Sequence, residues 1–101
     1  MRYLGGLRGT GTLSCGDVTL ARADYDFEGY LNKPGQMSCS GEIRVPPQLL
    51  NEVFGRRDLF LLTEDGRRLS LRFSGKRADA TSDAAHVDVA GDLPAATAWR
   101  H

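Results

Sequence analysis

Period-two alternation runs through most of this chain, and it constrains the fold more than any other feature. Between Ala21 and Leu31 one set of positions reads Ala21, Ala23, Tyr25, Phe27, Gly29 and Leu31, while the other reads Arg22, Asp24, Asp26, Glu28 and Tyr30. Side chains on a strand point alternately to opposite faces, so such a segment buries one face and wets the other. The pattern also holds earlier, where Leu7, Gly9, Gly11, Leu13 and Cys15 oppose Arg8, Thr10, Thr12 and Ser14. It returns with Met37, Cys39, Gly41, Ile43 and Val45 against Gln36, Ser38, Ser40, Glu42 and Arg44, and again from His86 to Asp92. Gly16-Asp17 and Lys33-Pro34-Gly35 separate the runs with turn chemistry.

The stretch from Arg57 to Phe73 reads as a hairpin, and its turn sets which residues face inward. A type I turn over Thr63-Glu64-Asp65-Gly66, with glycine in the left-handed region, makes a three-residue loop and puts Leu59 and Leu61 inside. A two-residue Asp65-Gly66 turn shifts the register by one and exchanges them for Phe60 and Leu62. The longer loop is favoured. In either register Leu59, Phe60, Leu61 and Leu62 are apolar on both faces. One face therefore needs a cover, from a helix or from a second subunit through self-association.

One helix is expected, at about 47–54. Pro46-Pro47 opens it, Gly55 ends it, and Leu49/Val53 and Leu50/Phe54 form i,i+4 pairs. Two turns do not persist alone, so the segment should plug an open end of the sheet. The stretch after Gly75 has no period and reads as a loop. These elements predict an all-β fold: a small antiparallel barrel or sandwich of about six strands with one short helix. Residues 1–93 form a single β-rich domain, and 94–101 a loosely held tail in which Trp99 has the option to dock.

With 101 residues, the chain has room for one core but not for a core plus a deep ligand cavity. Thirteen basic residues balance thirteen acidic ones, so no overall field draws it to nucleic acid or anionic lipid. No apolar run is long enough to span a membrane, and the start lacks the apolar core of a secretory signal. A cytoplasmic setting is the expectation, and the excess of arginine over lysine suggests a GC-rich bacterial genome.

Each chemically suggestive group has an ordinary structural explanation. Cys15 and Cys39 both fall on inner faces and read as buried thiols, with a disulfide as the alternative; no C-x-x-C pair supports a metal site. The run from Gly5 to Thr12 matches no phosphate-loop spacing, and its glycines suit close packing against the Tyr25 and Phe27 face. Asp24, Asp26 and Glu28 line one solvated face, with Arg44 as the expected cross-strand partner. No cofactor and no metal are expected.

Three functional classes follow. The leading one is a non-enzymatic binding or protein-interaction module. The alternative is an RNA- or single-strand-binding barrel. It would use seven bases (Arg56, Arg57, Arg67, Arg68, Arg72, Lys76, Arg77), which stand against three acids (Asp58, Glu64, Asp65) between positions 56 and 77. The third is a small enzyme built on His86 and Asp88, two apart on one strand face, for which no motif supplies a nucleophile.

Overall fold

The alternating runs become strands of very unequal length, and that inequality shapes the molecule. In the computed structural model, which describes residues 1–33, 35–75 and 79–99, β1 (Arg2–Cys15) and β2 (Val18–Lys33) form a long hairpin. They are followed by β3 (Gln36–Arg44), α1 (Pro47–Val53), β4 (Leu59–Thr63), β5 (Arg68–Phe73) and β6 (Ala84–Gly91). All pairings are antiparallel, in the order β1-β2-β3-β6-β5-β4, and β4 returns to β1 to close a barrel. The alternative of two packed sheets is thereby resolved in favour of the barrel.

The alternation places the inner faces as expected. Leu13, Phe27, Ile43, Leu59, Leu61, Leu69 and Val87 are completely enclosed, and with Leu71 they fill the barrel. A six-stranded barrel is narrow enough for side chains alone to fill it. Loop chemistry settles the hairpin register. Thr63 N–H donates to Arg67 O at 2.9 Å and Gly66 N–H to Thr63 O at 3.0 Å, with Gly66 at φ 91°. That is the three-residue loop, and it pairs Leu61 with Leu69 and Leu59 with Leu71. Thr63 is itself buried; its hydroxyl bonds the Asp65 carboxylate and accepts the Arg67 N–H at 2.9 Å.

The two ends of the barrel are closed differently. At the end where β3 stops and β4 starts, α1 brings Leu50 and Val53 into the core, while Phe54 packs on Phe73 with ring centroids 4.7 Å apart. At the other end residues 94–99 fold across the mouth instead of trailing loosely. Pro94 is buried, 96–98 make a single 3-10 turn, and Trp99 is 92% buried by its 8% residual exposure. The indole N–H lies 3.2 Å from the Pro94 carbonyl and 3.3 Å from the Met37 sulfur.

Glycines make two of these approaches possible. A Cβ at Gly29 would stand 2.7 Å from the Trp99 ring, so the absence of a side chain cuts the notch in which the indole sits. At Gly41 a Cβ would stand 2.0 Å from Asp26 O and 2.7 Å from the Phe27 Cα, both backbone atoms of β2 that cannot swing away. At Gly6 the nearest atom would be 3.7 Å away, an ordinary contact. Gly41→Ala should therefore destabilise the fold by at least about 2 kcal/mol, and Gly6→Ala by no more than about 0.5 kcal/mol. Urea unfolding of the two variants beside the parent measures the difference.

Candidate functional site

Among the described residues, the bases of the hairpin are spread along the length of the barrel. Arg56 forks onto Asp58, with both contacts at 2.9 Å, at the end carrying α1. Arg67 lies at the opposite end, 3.3 Å from an Asp65 oxygen and 3.3 Å from the Asp92 carbonyl. Between them, on the outer face of β5, the Arg68 guanidinium caps the Phe60 ring at 4.0 Å, and Arg72 stands opposite Asp88 of β6. Arg57 is exposed beside Arg56. Lys76 and Arg77 lie outside the described residues.

The apolar strand turns alternate residues inward and outward. Leu59 and Leu61 are interior, and β4 is paired on both sides, to β1 and to β5. Arg68 lies over Phe60, and Leu62 is left 48% exposed.

His86 and Asp88 lie side by side on the open outer face of β6, and both are exposed. His86 Nδ1 hydrogen-bonds Ser74 Oγ, a pairing not foreseen from the sequence. It arises because Ser74 N–H also bonds His86 O just beyond the end of β5. The acid row on β2 follows expectation in part. Asp26 is held by Arg8 at 2.8 Å, Glu28 by Arg8 at 3.6 Å and by Tyr3, and Asp24 by Thr10 at 2.9 Å. Arg44 stands directly opposite Asp24 across β2 and β3, as expected, while its guanidinium bonds Glu42 at 3.1 Å and Asp83 at 3.2 Å. Among the described residues, no cluster of histidine, cysteine, aspartate and glutamate is arranged to hold a metal ion.

Both cysteines are free, and they sit at opposite ends of the barrel. Cys15 pairs with Val18 and Leu59, whereas Cys39 pairs with Gly29 and Val89. Gly29 in turn faces Gly5, about 30 Å along β1 from Cys15 at the usual strand rise. A disulfide is thereby excluded. Burial, then a 3.1 Å hydrogen bond to Asp58, raises the Cys15 thiol, with Arg56 opposing. Asp58 is itself held well below the usual carboxylate range, first by Arg56 and then by Cys15.

The feature that remains is a break in the barrel wall. β4 pairs with β1 only over Gly11–Cys15, while β1 continues to Arg2 with β2 as its one strand neighbour among the described residues. Gly16 N–H donates to Asp58 O, so the even-numbered backbone groups of β1 face the β4 side. Below the seam those groups belong to Thr10, Arg8 and Gly6, along a regular stretch that ends where the register shifts between Tyr3 and Gly5. A groove of about 290 Å³ opens against this edge, lined by Leu7, Arg8, Asp65, Arg67, Pro94 and Trp99. The signal for it in the sequence is a mismatch in strand length, since a five-residue "LFLLT" strand cannot cover a run as long as β1.

Comparison of the chain with protein-family models, with curated proteins and with solved structures gave no match.

Two thiol predictions follow from this geometry. Alkylation of Cys15 at about pH 8 should be slow and should speed up severalfold in Asp58→Asn, which removes the acceptor and leaves Arg56 beside the sulfur. Burial lifts the Cys39 thiol from its ordinary 9.0 to about 12. The folded state therefore keeps that proton after the unfolded chain has lost it. Its contribution to stability is full below about pH 9 and is lost as pH rises from about 9 toward about 12. The urea midpoint should fall over that interval, and Cys39→Ala should fall less steeply.

Proposed function

We propose that this chain is a non-enzymatic protein-interaction module whose recognition surface is the open β1 edge and the groove beside it. The observation that carries this reading is the row of backbone groups at Gly6, Arg8 and Thr10, unpaired on the β4 side among the described residues, next to a groove of mixed polar and apolar lining. A barrel filled by its own side chains puts recognition on the outside. An uncovered strand edge is the part of a β-protein most ready to pair with another chain.

The nucleic-acid reading has less behind it. Arg56, Arg67 and Arg68 each engage an intramolecular partner, and the described arginines are spread over both ends of the barrel. The aromatic that such a surface would offer for base stacking, Phe60, lies under Arg68. An enzymatic reading has only a Ser74–His86 contact on the outer face of β6, with His86 and Asp88 both exposed.

Photo-crosslinking in the native cells tests the proposal. Ala98 borders the groove, whereas Ala90 lies on β6, across the barrel from β1; both are exposed. Ala98→p-benzoylphenylalanine should give a discrete protein adduct that Ala90→p-benzoylphenylalanine does not. Equal labelling from both sites, or none, would remove the reading. Mixed oligonucleotides titrated at low salt should leave the Arg56, Arg57, Arg67, Arg68 and Arg72 resonances unmoved, and salt-sensitive shifts there would favour the nucleic-acid class.

A further inference from the structure

We infer that the groove takes an extended segment of another protein, which adds to the barrel as a strand along Gly6–Thr10 and carries a carboxylate among alternating apolar residues. This rests on the interaction reading above and names the partner's chemistry.

Three observations argue for it. First, Gly6, Arg8 and Thr10 direct their backbone donors and acceptors to the same side, over about 17 Å of regular strand. Among the described residues none of those donors bonds another backbone group on that side. The slot is bounded above by the start of the β4 pairing at Gly11 and below by the register shift between Tyr3 and Gly5. It has the length of a short peptide strand. An incoming segment would continue the line of β4 where β4 turns away at Thr63.

Second, the groove sets apolar surface beside two guanidinium groups, with Asp65 as the one acid among its described lining residues. Leu7 and Ala98, beside the buried Pro94 and Trp99, offer apolar surface for the side chains on one face of an added strand. Arg8 and Arg67 stand at the rim. The β1 edge itself carries Arg2 and Arg8 and no acid. Arg67 holds its two partners only at 3.3 Å, so a carboxylate placed on the strand's outer side has a guanidinium within reach.

Third, the same charges select against a second copy of this chain. Two β1 edges paired antiparallel about the middle of the slot set Arg8 directly opposite the Arg8 of the other copy. Like charges opposite one another destabilise a strand pair. The occupant is therefore a different, acid-bearing strand.

A random dodecapeptide library displayed on phage and panned against the full chain tests this. Selected peptides should share period-two apolar spacing and an aspartate or glutamate. In the free protein the Gly6, Arg8 and Thr10 amides should exchange quickly, while those of Leu7, Gly9 and Gly11, directed at β2, exchange slowly. A bound peptide should slow the first set by about tenfold or more and leave the second unchanged. Thr10→Pro removes one outward donor at an edge position and should weaken binding by about tenfold, and Arg67→Gln should relax the preference for an acid. The exchange pattern stands without either variant. A library that yields no binder, peptides with helical three-four spacing, or binding without protection at those three amides would overturn the inference. If that happened while Ala98-specific adducts persisted, strand addition would fall and the interaction reading would stand; loss of both would remove both.

Discussion

Closure of the barrel depends on a short seam in which Gly11–Cys15 of β1 pairs with Leu59–Thr63 of β4. Every other neighbouring pair of strands joins elements that follow from the local turns or from the long β2 and β3 surfaces. This pair alone returns the sheet to its start. It is possible at Gly11 because a side chain there would meet Leu62 O at 2.6 Å and the Leu61 side chain at 3.1 Å. Where the seam holds, β1 has no edge. Where it stops, β1 becomes an edge strand within the same element, and the molecule changes from closed barrel to open three-stranded sheet. The candidate site is the line of that change.

The segment after β6 responds to the same constraint. With β4 turning away at Thr63, the mouth of the barrel would expose Leu7 and the inner side of Gly29. Residues 94–99 cross it, and the indole of Trp99 fits because Gly29 has no side chain and Gly5 faces it across the hairpin. The cover is partial: it closes the core and leaves the β1 backbone edge free, with Pro94 and Trp99 forming the wall of the groove. At the other end α1 has no comparable gap to leave, because β4 begins there directly opposite Cys15.

Much of this fold was legible in the sequence, because alternation is a local property. Phe27, Ile43, Leu13 and Val87 could be assigned to the inside from their neighbours alone, and Gly66 in its turn was enough to choose Leu61 over Leu62. Relations between distant strands were less legible. Arg44 does stand opposite Asp24, but the hairpin brings Arg8 opposite Asp26, and Asp83 draws the Arg44 guanidinium away. Cys15 and Cys39 looked alike within their strands, yet β1 and β3 lie on opposite edges of β2 and are displaced along it. The arginines between 56 and 72 are adjacent only in sequence. The hairpin carries them along the length of the barrel, and Asp58 and Asp65 at its two ends take up part of their charge. The open edge depends on the relative lengths of β1 and β4 once closed, which no single segment reveals.

The strength of binding at such an edge can be bounded from its parts. Each backbone hydrogen bond contributes a net of about 0.5–1.5 kcal/mol, because water is displaced from both partners. Three residues presenting a donor and an acceptor therefore do not by themselves offset an association cost of about 4–15 kcal/mol. The remainder must come from apolar area on Leu7 and Ala98, the accessible part of the groove's apolar lining, and from a carboxylate that draws Arg8 or Arg67 from its present partner. Arg8 is 68% exposed in its contact with Asp26. Exposed pairs of this kind contribute only about 0–1 kcal/mol, so exchanging one carboxylate for another costs little. Guanidinium contacts at the rim thus discriminate among strands more than they hold them, and the apolar surface sets how long a strand stays.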